Sequence, residues 1–397
     1  MFKKLAAALA SLIVASTVWA PAAMAWSPGE GGYFNNPRGS TAEKFRLQIR
    51  ITSAIRHTPR GGRIMIATYL LDYGPAADAL IAARNRGVST QVVMDDDIDT
   101  RHSRRLQRVL NRDNGRGGLR WGPDNSFAIQ CQGSCRGGAR NVNLHSKFYA
   151  FSRTGTAANV VMVSSANLNR GAATLGWNDL FVMRGVPSVY AKYRQIHEQM
   201  ARDRGVAKPY QVHRAGRFES RFFPKPSGGR ATDPTYQALN RIHCRGASGG
   251  AGRGGRTAVN ISMFFWAGDR GMYLARKVIQ LDRDGCLVSV IYGAPANDVA
   301  AVLRKSAWNG GIELYDSRMD RNNNGKVDMR VHHKYMLVNG HYGADRSSWQ
   351  VFAGSQNWAK GLRGDEVTLK VASRPAYARY LKNWQYVRST ASRKIGR

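Results

Sequence analysis

Two histidine–lysine pairs recur at the same short spacing in the two halves of the chain. His145 and Lys147 lie in "NLHSKFYAF", and His332 and Lys334 lie in "RVHHKYMLV". Side chains alternate along a β-strand, so each pair shares one face of its predicted strand, while His333 points away from His332. An imidazole can act as a nucleophile or a proton donor, and an ammonium group can hold an anion. The spacing therefore predicts a site for an anionic substrate, to which each half contributes one pair.

Each pair is followed by a small polar motif and then by an acidic residue. The polar motifs are "VSSANLN" and "AGSQNWA", and the acidic residues stand in "WNDL" and "GDEV". A carboxylate beside an imidazole orients the ring and raises its basicity, which is the role we expect for both acidic residues. The residues of this set are Ser165, Asn167 and Asp179 in the first half and Ser355, Asn357 and Glu366 in the second.

This set resembles the phospholipase D superfamily, whose signature is H-x-K, then an Asp, then G-S-x-N. The resemblance covers both halves. Three positions depart from the signature: the Asp is Ser152 in the first copy and Asn339 in the second, and the Gly of the first G-S-x-N is Ser164. The missing Asp is not the family's nucleophile, so we expect activity to survive. The departures leave the subfamily open.

The resemblance implies that His145 forms a phosphohistidine and that His332 is the general acid. Sequence symmetry alone does not distinguish the two histidines. Phosphodiester cleavage needs a nucleophile, a proton donor for the leaving alkoxide, and cations or donors around the phosphoryl oxygens. The two lysines and the two motif asparagines can hold the oxygens, so we expect no cofactor and no catalytic metal ion.

Four residues are predicted to contact the substrate. Ser165 and Ser355 follow from the polar motifs, and Trp177 and Trp358 lie next to motif residues. A tryptophan suits a lipid interface or base stacking, and a plain core role for both stays open.

One segment resembles a calcium loop. "DRNNNGKVD" places oxygen ligands at loop positions 1, 3, 5 and 9 and a glycine at position 6, but position 12 is Val331 rather than Glu. The alternative is an Asn-Gly turn before the second motif. If calcium binds, its role is structural. The ligands would be Asp320, Asn322, Asn324 and Asp328.

The elements around the motifs follow the same order in both halves. Apolar strands are predicted at 61–71 and 258–266, with helical patterns from Pro75 and Gly271 and a second strand after each helix. Strand, helix and strand in that order indicate a parallel or mixed sheet. The predicted fold class is α/β, with two tandem phospholipase-D-like α/β sandwich domains related by a pseudo-two-fold axis.

The N-terminal stretch has the charged, apolar and small-residue order of a signal peptide, with cleavage near Ala25. We therefore expect residues 1–25 to be removed, and domains at 26–210 and 211–397 in a secreted protein. Four cysteines in an exported chain favour disulfides, and proximity pairs Cys131 with Cys135 and Cys244 with Cys286.

Charge is the outlier of the composition. Sixty Lys and Arg against 26 Asp and Glu give a net charge of +34. This favours a polyanionic partner, either a phospholipid membrane surface or nucleic acid, although a surface property unrelated to substrate stays open. We expect a monomer that hydrolyses phospholipid headgroups, with a nuclease as the alternative. An inactive binding protein is disfavoured because both histidine–lysine pairs are intact.

Overall fold

Two mixed β-sheets organise the chain, one built from each half. The computed structural model describes residues 26–112, 125–225, 228–359 and 362–396. The predicted signal peptide lies outside the described residues. The first sheet has seven strands in the order β1-β10-β7-β6-β2-β4-β5, and the second has ten, with the order β11-β12-β20-β19-β18-β14-β15-β16-β21 and β13 beside β18.

The elements of the first half run from residue 31 to residue 201. Its strands are β1 (Gly31–Phe34), β2 (Arg63–Thr68), β3 (Leu71–Asp72), β4 (Ser89–Asp95), β5 (Phe127–Cys131), β6 (Lys147–Thr154), β7 (Ala157–Ser164), β8 (Leu168–Asn169), β9 (Gly176–Trp177) and β10 (Asp179–Met183). Its helices are α1 (Thr41–Lys44), α2 (Arg46–Arg56), α3 (Gly74–Asn85), α4 (Arg101–Leu110), α5 (Arg170–Thr174) and α6 (Pro187–Ala201).

The elements of the second half run from residue 211 to residue 395. Its strands are β11 (Gln211–Ala215), β12 (Phe218–Phe222), β13 (Ile242–His243), β14 (Ala258–Trp266), β15 (Leu287–Pro295), β16 (Glu313–Asp316), β17 (Arg330–Val331), β18 (Lys334–Tyr342), β19 (Asp345–Gly354), β20 (Val367–Ala372) and β21 (Arg393–Ile395). Its helices are α7 (Pro234–Asn240), α8 (Gly268–Arg283), α9 (Asn297–Trp308) and α10 (Arg374–Thr390).

The predicted strand–helix–strand units are confirmed in both sheets. In the first half, β2 and β4 pair parallel and are connected through helix α3. In the second half, β14 and β15 pair parallel and are connected through helix α8. The motif strands β6 and β18 then pair antiparallel with β2 and β14. The sheets are therefore mixed, as strand–helix–strand units followed by hairpins require.

The two sheets share one hydrophobic core. Phe148 and Tyr193 of the first half and Tyr335 and Trp384 of the second are buried in the same cluster. Burying one such side chain stabilises the fold by roughly 1.5–3 kcal/mol. Two further clusters lie on the opposite face of each sheet, under helices α2 and α3 and under helices α8 and α9. The shared core fixes the motif strands of both halves against each other.

Both predicted cysteine pairs are disulfides in the structure. Cys131 and Cys135 have Cα atoms 5.3 Å apart, and Cys244 and Cys286 have Cα atoms 4.4 Å apart. The first closes a five-residue loop after β5, and the second ties the segment after β13 to the end of helix α8. Among the described residues, no helix combines the length and the apolar character needed to cross a bilayer.

Candidate active site

The two histidines lie immediately before the motif strands rather than within them. Strands β6 and β18 begin at the two lysines, so the expectation that each histidine is a strand residue is wrong by two positions. Each histidine is instead fixed by the opposite half of the chain. The N–H of His145 donates to the carbonyl of Asp365 at 2.9 Å, and the N–H of His332 donates to the carbonyl of Trp177 at 2.8 Å. The backbones of the two halves therefore position each other's histidine.

The two lysines lie buried behind the histidines. Lys147 donates to the carbonyl of His145, and Lys334 donates to the carbonyl of His332 at 2.7 Å and lies 3.3 Å from both ring nitrogens. Burial lowers the pKa of Lys147 to about 7, although nearby carboxylates oppose the shift. Burial, together with the charge of Lys147, lowers the pKa of Lys334 well below its usual value. Both ammonium groups are thus poorly solvated and suited to an anionic ligand.

Glu366 of the second half holds His145 of the first. Its Oε1 lies 2.8 Å from the Nδ1 of His145, and its Oε2 accepts a hydrogen bond from Ser355. The His145 ring is 21% exposed, so its edge faces open space. Burial lowers the pKa of His145, and Glu366 opposes that shift; burial alone would raise the pKa of Glu366, but His145 and Lys147 bring it below its usual value. The pair leaves the Nε2 of His145 available for chemistry.

Asn178, not Asp179, holds the second histidine. The Oδ1 of Asn178 lies 2.8 Å from the Nδ1 of His332 and accepts a hydrogen bond from Ser165 at 3.0 Å. Asp179 instead accepts a hydrogen bond from Tyr380 at 3.0 Å, and burial raises its pKa to about 6. Burial lowers the pKa of His332 well below its usual value, and the charges of the lysines and of the other histidine add to the shift. The prediction that Asp179 orients an imidazole is therefore wrong by one residue.

Backbone register explains this correction. The N–H of Ser165 donates to the carbonyl of Asp179, and the N–H of Ser355 donates to the carbonyl of Val367. In return, the N–H groups of Asp179 and Val367 both donate to the serine hydroxyls at 3.0 Å. Asp179 thus corresponds to Val367, and Asn178 corresponds to Glu366. The matching serine contacts were the available signal, but residue type alone favoured pairing the two acidic residues.

The motif serines and asparagines have different surroundings. Ser165 and Ser355 are fully buried, and their hydroxyls donate hydrogen bonds to Asn178 and Glu366. They therefore orient those side chains, whereas the sequence predicted that they contact the substrate. The Oδ1 atoms of Asn167 and Asn357 are buried and have no hydrogen-bond partner among the described residues. Of the two asparagines, Asn167 lines a cleft of about 410 Å³ beside His332.

The tryptophans predicted to contact substrate lie in the core. Trp177 is 0% exposed and Trp358 is 4% exposed. Trp358 packs on Trp266, with ring centroids 4.5 Å apart. The backbones of these two residues form an isolated β-bridge in the second half. The core role that the sequence left open is the observed one.

Two other aromatic residues flank the histidines and were missed by sequence reasoning. The ring of Tyr69 lies 5.4 Å from that of His145, and the ring of Phe264 lies 4.5 Å from that of His332. Tyr69 follows the last residue of β2, and Phe264 follows Met263, the residue of β14 that pairs with Lys334. Their equivalent places after the matching strand positions were the signal that could have identified them.

Asp365 links the site to the first disulfide. Its buried carboxylate accepts a hydrogen bond from Ser134 at 2.8 Å, inside the Cys131–Cys135 loop. Arg136, which follows that loop, donates to the carbonyl of Phe223 at 2.9 Å, and the N–H of Phe223 donates to the carbonyl of Glu366 at 3.0 Å. Burial raises the pKa of Asp365 to about 7. The disulfide loop therefore braces the backbone that carries Glu366.

The calcium-like loop and Asp95 at the end of β4 make hydrogen bonds within the protein. In the calcium-like loop, Asp320 accepts hydrogen bonds from the N–H groups of Asn324 and Gly325, and Asp328 accepts one from the N–H of Arg321. These are contacts of the alternative turn, and calcium binding by Asp320, Asn322, Asn324 and Asp328 stays a prediction. At the end of β4, Asp95 accepts a hydrogen bond from the N–H of Leu144 at 2.6 Å and so fixes the turn before His145.

The two positions that lack the signature Asp also make local contacts. Ser152 accepts a hydrogen bond from the N–H of Arg63 at 2.8 Å, and Asn339 accepts one from the N–H of Gly252. Neither contact involves the histidines. The departures from the signature thus affect contacts along the two strands. Both histidines, both lysines and the groups bonded to the histidine Nδ1 atoms are still present.

The fold and the two histidine–lysine pairs resemble those of enzymes that act on phosphoric diesters, as in phospholipase D. Residues 51–201 match the family model described as "Cardiolipin synthase, PLD-like domain". Over these residues the chain is similar to the phospholipase D superfamily.

Solved structures with this fold include two at a TM-score of 0.57 and 12% identity. Polyphosphate kinase from Porphyromonas gingivalis aligns over 90% of this chain, which spans 50% of the kinase. Phosphatidylserine synthase from Haemophilus influenzae Rd KW20 aligns over 92% of this chain and 89% of its own. Nuc from Salmonella typhimurium, a phospholipase D family member, aligns over 45% of this chain and 98% of its own, with 16% identity and a TM-score of 0.31. A comparison with curated protein sequences found no significant match.

Proposed function

We propose that this chain is a secreted phosphodiesterase of the phospholipase D type, which hydrolyses headgroup phosphodiester bonds of phospholipids at a site shared by both halves. The observation that carries the proposal is the hydrogen bond between His145 of the first half and Glu366 of the second. Neither half alone has both a nucleophile and the carboxylate that orients it.

The first step is attack of the His145 Nε2 on phosphorus. Glu366 accepts the Nδ1–H of His145, which directs the Nε2 lone pair outward and stabilises the positive charge that forms on the ring. A nitrogen–phosphorus bond forms as the bond between phosphorus and the leaving oxygen breaks. Lys147 and Lys334 offset the negative charge on the phosphoryl oxygens.

The leaving alkoxide takes a proton from His332. Asn178 is a neutral acceptor, so it orients the Nδ1–H of His332 without stabilising the charged ring as a carboxylate does. The resulting imidazolium is a strong acid, and it forms when the substrate's negative charge offsets the two lysines. In the second step, water attacks phosphorus, gives its proton to His332, and releases His145. The different Nδ1 partners support His145 as nucleophile and His332 as general acid.

The proposal extends to the organisation of the chain. We infer domains at 26–210 and 211–397 related by a pseudo-two-fold axis, and a signal peptide at 1–25. The reciprocal backbone bonds to His145 and His332 and the matching serine contacts support such an axis. A monomer then contains one complete site, without a cofactor.

A phospholipid is the proposed substrate class. The matching family model is named for cardiolipin synthase, and a positive protein concentrates at anionic bilayer surfaces. The same charge favours nucleic acid, which makes a nuclease the second candidate. The chemistry at phosphorus is identical for both.

The proposal is tested with three substrates. We expect purified protein to release nitrophenol from bis(p-nitrophenyl) phosphate, to hydrolyse mixed phospholipid vesicles, and to retain both activities in EDTA. Acid-quenched reactions with labelled substrate should carry a phosphoryl group on His145, and His145→Ala should abolish the label. Absence of turnover on all phosphodiesters refutes the function, and cleavage of plasmid DNA with no action on lipid replaces the first candidate with the second.

A further inference from the structure

The cleft beside His332 holds a positively charged group that the chemistry at phosphorus does not use. Arg330 lines this cleft of about 410 Å³ together with His332 and Asn167. Its guanidinium lies over the ring of Phe264, 5.5 Å from the ring centroid. The centroid of the same ring lies 4.5 Å from that of the His332 ring. One aromatic ring thus separates the guanidinium from the proposed proton donor.

The charge of Arg330 is not neutralised by another described residue. Its backbone N–H donates to the carbonyl of Leu175, but no carboxylate lies within ion-pairing distance of its guanidinium among the described residues. Asp328 also lines the cleft, and one of its carboxylate oxygens accepts a hydrogen bond from the N–H of Arg321. A guanidinium that is stacked on a ring and lacks an anionic partner is well placed to bind a phosphate with two hydrogen bonds.

The cleft also exposes apolar surface next to that charge. Leu175 is 50% exposed and Val327 is 38% exposed, and both line the cleft. The side of the site at His145 differs: there Tyr69 faces the histidine, and its hydroxyl bonds to Asp97 at 3.4 Å. The two sides of the reacting phosphate therefore present different groups, a guanidinium beside apolar side chains on one side and a tyrosine bonded to a carboxylate on the other, which lets the site distinguish the two ends of a substrate.

We propose that the Arg330 cleft binds the leaving alcohol and selects phosphodiesters whose leaving alcohol carries a second phosphate. The assignment rests on the proposed function, because in-line displacement puts the leaving group opposite His145 and next to His332. The second phosphate pairs with Arg330, and the carbon spacer between the phosphates contacts Leu175 and Val327. A lipid in which two phosphodiesters share one glycerol has this chemistry, and so does a polynucleotide.

The test compares substrates that differ only by the second phosphate. Cardiolipin is compared with phosphatidylglycerol in mixed micelles, and dithymidine phosphate is compared with and without a terminal phosphate on the leaving nucleoside. We expect a higher kcat/KM for the substrate with the second phosphate, and Arg330→Gln should reduce that preference roughly tenfold, the effect of losing one charged hydrogen-bonding pair. Preference in the lipid pair or in the nucleotide pair identifies the source of the phosphate.

Matched variants and a product analogue complete the test. Lys326→Gln removes an exposed charge from the neighbouring loop, outside the cleft, and should leave the preference unchanged. Arg330→Lys should restore part of the preference. In the unmodified protein, glycerol 1-phosphate should inhibit bis(p-nitrophenyl) phosphate hydrolysis at far lower concentration than glycerol. Equal inhibition by both, or an unchanged preference in Arg330→Gln, overturns the inference, whereas an inactive unmodified protein refutes the proposed function itself.

Discussion

The two histidines of the site differ in the group that holds Nδ1. His145 meets the carboxylate of Glu366, and His332 meets the amide of Asn178. A carboxylate stabilises an imidazolium, and an amide oxygen only orients the ring. This difference supports the two roles proposed for the histidines, which the sequence leaves symmetric.

Replacing Glu366 with Gln should lower kcat by about 10²- to 10⁴-fold, as loss of the orienting carboxylate does at other nucleophilic sites. The Gln side chain keeps an oxygen that can accept the serine hydrogen bond, so the thermal midpoint should change little. Asp179→Asn is the control, because that side chain bonds to Tyr380 and not to a histidine. A larger loss for Asp179→Asn than for Glu366→Gln contradicts the geometry.

The pH dependence of kcat/KM should reflect the buried Lys147. Its pKa of about 7 means that the side chain is charged below pH 7 and neutral above it. Since the charged form binds the phosphate, kcat/KM should fall as the pH rises through about 7. Bound substrate favours the charged lysine, so kcat should hold to higher pH than kcat/KM. Profiles of both constants from pH 5 to 9 check this, and a flat kcat/KM across neutrality disagrees with it.

His332 and its neighbour His333 provide a paired comparison. His332→Ala should remove nearly all turnover because it removes the proton donor. His333 is buried and lies 3.1 Å from the hydroxyl of Ser262, and its ring faces the shared core. His333→Gln should therefore retain most of the turnover per folded molecule, and equal loss in both variants would make the assignment of His332 wrong.

The two histidine–lysine pairs could be predicted from the sequence as a candidate site because a fixed spacing in two copies is independent of what surrounds it. The partner of His332 was missed because the connection from Ser165 to Asn178 contains helix α5, which has no counterpart between Ser355 and Glu366 among the described residues. Because the two connections differ in secondary structure, the number of residues after each serine does not show which residues correspond. Only the backbone bonds to the serines reveal which residues correspond.

Among the larger elements, the Cys131–Cys135 loop braces the site from the first half. Ser134 holds the carboxylate of Asp365, whose carbonyl holds the N–H of His145. One residue, Asp365, therefore connects this loop to the proposed nucleophile. The Cys244–Cys286 disulfide lies in the second half, at the far end of helix α8.

Replacing both cysteines of the first disulfide with Ser should lower kcat on the order of 10²-fold, because a displacement of about 1 Å at a catalytic group costs that much. Cys244→Ser with Cys286→Ser is the matched control. It should lower the thermal midpoint but change kcat far less. Steady-state kinetics with thermal melts separate the two effects, and equal kcat losses would show that the loop has no special role.

The long strands were predictable because their apolar sequences are continuous. The predicted strand at 258–266 is β14 with the same bounds. The two-residue strands β9 and β17 were not predictable, since their pairing joins distant parts of the chain and depends on how the halves pack. This pairing carries the carbonyl that fixes His332, so part of the site was beyond any local pattern.

For the whole molecule, the large excess of Lys and Arg over Asp and Glu should control binding. Binding of His145→Ala to DNA should weaken with salt, with log K linear in log salt. Binding to vesicles should instead increase with the fraction of anionic lipid, by roughly 1 kcal/mol per basic residue near the surface. Titrations from low to high salt compare the two. Weak binding to both, insensitive to salt, would mean that the charge is unrelated to substrate.

The contacts from Asp365 and Glu366 to His145 determine when the site is completed during synthesis. A ribosome makes the nucleophile and Lys147 more than two hundred residues before the carboxylate that orients them. Until Lys334 and Glu366 have been made, the first half has an imidazole without its partner and without the second ammonium group. The nascent chain therefore lacks a complete site until both residues have left the ribosome and folded.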